Sequence, residues 1–219
     1  MNLDFSQIVP YIPFMLEGVW VTLKFVSMSI LIGFILGTIL ALFKITNTSF
    51  LKWLADAYTS IFRGTPIMLQ LMIIYFAIPQ LTGYDISAYI SAILAFGLNS
   101  AAYVSEIIRA GILAVDKGQT EAAAALGVPY KDMMINIILP QALKNILPAL
   151  MNEFITLTKE SAIVSVIGYL DLMRRAQIVG AQTFHNFEPL LFVGIVYWVM
   201  VYVLTQIGKV IERRMRASD

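Results

Sequence analysis

From Gly18 to Phe43 the chain is apolar almost without interruption, with Lys24 its only charged residue. Crossing the ~30 Å hydrocarbon layer of a bilayer takes about 20 helical residues, whereas a buried core helix needs only about 10 to 14. In lipid, every backbone N–H and C=O must find its partner inside the protein, so such a run spans as a helix. Comparable runs recur along the chain, which therefore reads as an all-α integral membrane protein. The composition agrees: 59% of residues are hydrophobic and 13% charged, and mean hydropathy is +0.79. Soluble domains carry nearly twice that share of charge.

Several function classes drop out. The chain has no cysteine and a single histidine, His185, which removes disulfides, thiol nucleophiles and Cys-ligated metals and makes a histidine-based metal site a poor reading. Net charge is +1, and no basic run suggests nucleic acid. The first eighteen residues contain no Lys or Arg, two acids and two prolines, unlike the basic start of a cleaved signal. The first apolar run is thus expected to persist as a span.

Five transmembrane helices are expected, at about 17–43, 66–81, 86–115, 133–157 and 189–211, in a single membrane domain over 1–219. Leu51 to Phe62 reads as an interfacial, partly amphipathic segment. Thr158 to Glu188 is too polar to span, and its Ser161–Leu172 part reads as a short re-entrant or interfacial helix. With the N-terminus outside, eleven of the fifteen Lys and Arg fall on the cytoplasmic side, so the positive-inside rule favours N-out, C-in. Arg174 and Arg175 fit that count least well. Trp20, Trp53 and Trp198 suit interfacial anchors.

Between the third and fourth runs lies a polar insert, about 116–132, that a mere connection does not require. Glu121 to Leu126 are strong helix formers, Gly127 suits a left-handed helix stop, and Pro129 allows a restart. Glu121-Ala122-Ala123, Gly127, Ile137 and Leu139-Pro140 together resemble the EAA loop of ABC-importer permeases. The resemblance extends through Phe62–Leu71, Tyr103–Ile112 and Gly118-Gln119 to permeases for polar amino acids. Thr158–Ile163 resembles that subfamily too, with Glu160 for its usual Asp and Ala162 for its second Ser. The resemblance implies a type I ABC importer permease fold in a bacterial cytoplasmic membrane. It implies ATPase subunits docking on Glu121, Ala122, Ala123, Leu126, Gly127 and Pro129, a second permease copy, and an external solute-binding protein. ATP and Mg would sit on the ATPase, since no G-x-x-x-x-G-K-[ST] occurs here and the chain needs no cofactor of its own.

Ionisable groups within spans are costly and usually face a water-filled path or a partner. Glu153, Thr156 and Glu160 share one face of the fourth run, the carboxylates about 10 Å apart along the axis. Two such faces in a permease dimer suit a cationic ligand, pointing to arginine, lysine or histidine. Asn99 and Ser100 can hold an α-carboxylate or α-amine, or bond helix to helix; Asp171 is a further candidate at an outer gate. Glu106 and Arg109, three apart, read as a structural pair. Glu160 could instead pair with Lys159, Arg174 or Arg175. Glutamine or glutamate transport, or a proton- or sodium-coupled secondary transporter, are the rival readings; the last expects inverted repeats, and none is evident.

Overall fold

Uniform apolarity leaves helix α1 (Ile12–Ile45) without a preferred face, so its packing is set by where it is small. Ser29, Gly33, Gly37 and Ala41 recur every fourth position and are all buried. They receive α4 (Ala88–Leu113) in the most extensive helix pair of the structure. A Cβ on Gly33 would stand 2.7 Å from Ser100 Oγ, and one on Gly37 2.8 Å from Val104 Cβ. Between helices in lipid, where no hydrophobic gain drives association, such close backbone approach supplies the attraction.

The computed structural model describes residues 4–46 and 48–216, and its elements are all helical. A 3-10 turn (Phe5–Tyr11) leads into α1. After α1 come α2 (Ser49–Gly64), α3 (Ile67–Thr82), α4, the short α5 (Lys117–Ala125), α6 (Tyr130–Ile167), α7 (Leu172–Thr183) and α8 (Phe187–Arg216). Among the described residues four helices are long and apolar enough to cross a membrane: Phe5–Ile45, Ala88–Leu113, Tyr130–Ile167 and Phe187–Met215. Helix α4 is the central one, with 67% of its apolar window buried against 11% for α8.

The expected second span is the exception. Helix α3 alone is about 24 Å long, and it reaches spanning length only together with α2, from which it is bent by 99°. Pro66 causes the break: it disfavours helical geometry in the preceding residue, and Thr65 is extended at φ −122°, ψ 145°. Two more prolines act differently. Pro79 and Pro140 each follow a π turn, Ile73–Ala77 in α3 and Met134–Ile138 in α6. A proline removes one N–H and crowds the preceding turn, and a one-residue widening is a common accommodation. Ser161–Leu172 differs from its expected helix. Its first seven residues continue α6 as a 3-10 segment to Ile167, Gly168 turns the chain at φ 78°, and the short separate helix begins at Leu172.

The main core joins α1, α3, α4 and the end of α6 through Phe25, Leu71, Phe96, Leu157 and Val164, with Phe25 edge-on to Phe96 at 5.3 Å. A second core seats α7 on α1 and α8. There Gly18 lies so close to α7 that a Cβ would stand 2.6 Å from Leu172 Cα, and Thr22 Oγ1 accepts from Leu172 N. Arg175, awkward in the charge count, is buried in this junction. It donates to Glu17 and to the Phe14 carbonyl, each at 2.7 Å, and lies over the Phe14 ring. Its charge is thus matched within the chain, by a Glu17 side chain that is itself 68% exposed.

Two predictions follow from this packing. Gly37→Leu should lower stability by about 1–3 kcal/mol, read as a fall in melting temperature in detergent. Gly194→Ala, which meets nothing within 4 Å, should not lower it, since alanine is the better helix former. Asp171 caps α7, accepting from Met173 N at 3.1 Å, Arg174 N at 2.9 Å and the Tyr197 hydroxyl at 3.3 Å. Burial pushes its carboxyl up from 3.8 to about 6, against the pull of these donors. A raised carboxyl favours folding most below pH ~4 and loses that contribution as pH rises through ~6. Wild type should therefore lose stability relative to Asp171→Asn between those values, while Asp171→Ala should cost about 1 kcal/mol or more as the cap is lost.

Candidate functional site

The break between α2 and α3 frees carbonyls that two amides recover. Gln70 Nε2 donates to Phe62 O at 2.9 Å, Thr65 O at 3.1 Å and Thr65 Oγ1 at 2.8 Å. From α4, Asn99 Nδ2 donates to the same Phe62 carbonyl at 3.0 Å and to Gln70 Oε1 at 3.1 Å. The bend so held forms one wall of a cleft of about 460 Å³. Arg63 to Met68 line it on one side, Asn99 and Tyr103 of α4 on another, and Glu160 and Ile163 of α6 on a third. The Arg63 guanidinium lies 5.3 Å over the Tyr103 ring, a cation–π contact that keeps it at the cleft wall.

Of the six candidate substrate residues, Asn99 and Glu160 thus share a cavity. Glu153 and Thr156 follow on the same α6 face, half-buried. Ser100 is fully buried against Gly33, its hydroxyl without a hydrogen bond. Asp171 does not line the cleft; its oxygens are committed to the α7 cap. The amide N–H groups of Asn99 are likewise committed, to the bend, which is the helix-to-helix bonding that its position allowed. The expected alternative pairings of Glu160 do not form: Arg175 binds Glu17, and Arg174 donates to Gln177 at 3.3 Å. Among the described residues neither Glu153 nor Glu160 has an ion-pair partner within 4 Å. The part played by Arg63 and Gln70 was missed, although a glutamine inside an apolar run was a visible signal.

The polar insert folds as its residues suggest. Asp116 caps α5 by accepting from Gly118 N at 2.7 Å. At the other end Gly127 takes φ 71°, with Gly127 N bonded to Ala124 O and Val128 N to Ala123 O, each at 3.0 Å. This 5→2 and 6→1 pair is a Schellman stop, and Pro129 then caps the start of α6. Ala123 is buried against Met133 and Ile138 in a small core with Ile112, Val115 and Val128. Glu121, Ala122, Gly127 and Pro129 are exposed, and Leu126 and Tyr130 are 82% and 69% exposed. The helix is anchored from beneath and presents small and apolar residues outward.

Known proteins match this arrangement. Residues 4–217 fit the family of binding-protein-dependent transport system inner membrane components. The chain is 59% identical to the arginine transport system permease protein ArtQ of Bacillus subtilis, over 100% of both chains. It is 50% identical to a putative glutamine transport system permease protein GlnP of Rickettsia felis, over 94% of both. Its fold matches the crystal structure of an amino acid ABC transporter with histidines at a TM-score of 0.94 and 44% identity, covering 98% of this chain and 100% of that one. An inward-facing structure of the MetNI methionine ABC transporter matches at 0.81 and 23% identity, covering 94% and 98%, a likeness of fold alone. With its carboxylate-lined cleft and anchored polar insert, the chain belongs to the binding-protein-dependent transport system inner membrane components, as the transmembrane permease subunit of a polar amino-acid ABC importer.

Proposed function

We propose that this permease carries a cationic amino acid, with arginine the best fit, and that Glu160 and Glu153 receive its positive groups. The observation that carries this reading is the pair of carboxylates about 10 Å apart on one face of α6, neither with an ion-pair partner within 4 Å among the described residues. A guanidinium binds a carboxylate through two parallel hydrogen bonds, and Arg63 across the cleft suits the α-carboxylate. The relative named for arginine transport, identical at 59% of positions, supports the same choice. Glutamine is the second reading, favoured by relatives named for glutamine transport at 50% identity.

In this reading the chain sits N-out, C-in in a bacterial cytoplasmic membrane. Two permease copies meet two ATPase subunits below and a solute-binding protein above. The exposed side of α5, with Glu121, Ala122, Leu126 and the Gly127–Pro129 turn, docks on the ATPase. ATP-driven closure draws the two α5 helices together, α6 moves with them, and the cleft alternates between sides. The internal neutralisation of Arg175 by Glu17 supports the orientation by weakening the outer charge count.

Uptake by proteoliposomes containing ATPase and binding protein tests both parts. Glu160→Gln should raise the arginine concentration for half-maximal uptake about tenfold or more, the cost of a charged hydrogen-bond partner. Unchanged arginine dependence in both Glu160→Gln and Glu153→Gln removes the assignment, and intact glutamine uptake by wild type favours the second reading. Gly127→Pro should abolish uptake while ATP hydrolysis persists. Proline cannot take φ 71° and lacks the N–H that bonds Ala124; normal uptake in that variant contradicts the docking role.

A further inference from the structure

Helix α2 is amphipathic the wrong way round for a soluble protein. Phe50, Trp53, Leu54 and Ile61 are exposed, with Phe50 stacked on Trp53. Lys52, Asp56 and Thr59 occupy the opposite side at helical spacing and turn toward the ends of α1 and α4. There Lys44 is buried, 7% exposed. Its ammonium donates to Glu106 and, at 2.8 Å, to Thr59 Oγ1, and lies 3.4 Å from Asp56. Arg109 donates Nε and Nη2 to Glu106 at 3.0 and 2.8 Å. Between these groups opens a pocket of about 390 Å³, lined by Lys44, Lys52, Asp56, Glu106 and Arg109, with Ile45 and Leu113 as its apolar edge.

The charges in this pocket do not cancel. Three cations face two carboxylates. Lys44 and Arg109 are matched by Glu106 and Asp56, while Lys52 forms no ion pair among the described residues. One positive charge is left over, and Arg109 keeps unused donors because a guanidinium has five N–H groups. The outward stripe of α2 is exposed and apolar, as a lipid-facing surface requires, and its exposed indole suits the level of the headgroups. Basic pockets between transmembrane helices on the cytoplasmic side, where the proposed orientation puts the ends of α1 and α4, bind lipid headgroups.

We propose that this pocket is a binding site for an anionic phospholipid, its phosphodiester held by Lys52 and Arg109. The lipid's glycerol and upper acyl carbons rest on Ile45 and Leu113. One phosphodiester charge neutralises the surplus. Asp56, its carboxylate half exposed, opposes the bound anion and limits the affinity.

The full chain, assembled with its ATPase, is placed in micelles holding phosphatidylglycerol and phosphatidylcholine in equal amounts, and retained lipids are counted by native mass spectrometry. Wild type should retain phosphatidylglycerol preferentially. Lys52→Gln should reduce that retention about fivefold, the worth of one basic residue near anionic lipid, with phosphatidylcholine unaffected. Asp56→Asn should increase it, a gain that a merely folded or misfolded α2 does not produce. Equal retention of the two lipids by wild type, or unchanged retention in Lys52→Gln, overturns the proposal. An equal loss in Lys117→Gln, a cation outside the pocket, assigns the effect to diffuse charge and overturns it as well. Displacement of the lipid by inorganic phosphate makes the pocket a free-anion site and not a lipid site.

Discussion

A chain that stops being helical inside a membrane must find new partners for the carbonyls it releases, and in this permease Gln70 and Asn99 provide them. The net worth of one such hydrogen bond is about 1 kcal/mol, but a buried carbonyl left unmatched costs about 1–3 kcal/mol. The Phe62 carbonyl receives both amides and Thr65 receives Gln70 twice, so the 99° bend is held from two helices at once. The cleft depends on this. Straighten the bend and Arg63 leaves Tyr103, the Gly64–Pro66 wall disappears, and Glu160 faces a different surface.

The same bend requires α4 to be close and rigid, because Asn99 reaches across from it. That closeness comes from α1, whose four small residues admit the backbone of α4. At Gly33 and Gly37 there is no space for a methyl group. Ser100 shows the cost of so tight a fit, with its hydroxyl buried and unbonded. Packing and polar bonding therefore reinforce each other: the small-residue ladder sets α4's distance, and α4's Asn99 sets the bend.

Local patterns were legible in the sequence and distant pairings were not. The Gly127 stop and the Glu106–Arg109 pair each join residues only a few positions apart, where local geometry alone decides who meets whom. The Ser29-Gly33-Gly37-Ala41 ladder was equally local, yet a reading by apolarity passes over glycine. Lys44 reaching Glu106 and Arg175 reaching Glu17 join residues far apart in the chain, and only the fold brings them together. Asp171 shows a different limit. An acid in a polar stretch suits a ligand or a helix cap equally well, and the choice turned on where α7 begins, eleven residues later than its expected start. The helix expected at 66–81 forms as Ile67–Thr82, but its sharp angle to the helix before it was not legible, because a proline that suits a helix start also bends the chain ahead of it.

The anchored insert and the carboxylate face lie on the same mechanical element. Ala123 of α5 packs on Met133 and Ile138, at the foot of α6, and Glu153 and Glu160 sit further up that helix. Between them are the π turn Met134–Ile138 and Pro140. A widened turn followed by a proline is where a helix most readily changes direction. In the proposed cycle a shift of α5 enters α6 at this π turn, which its contacts flank, and reaches the carboxylates as a tilt of the helix above it. That cycle needs no direct contact between insert and cleft; the helix from Leu139 to Glu160 carries the motion, and the π turn decides how much of it arrives.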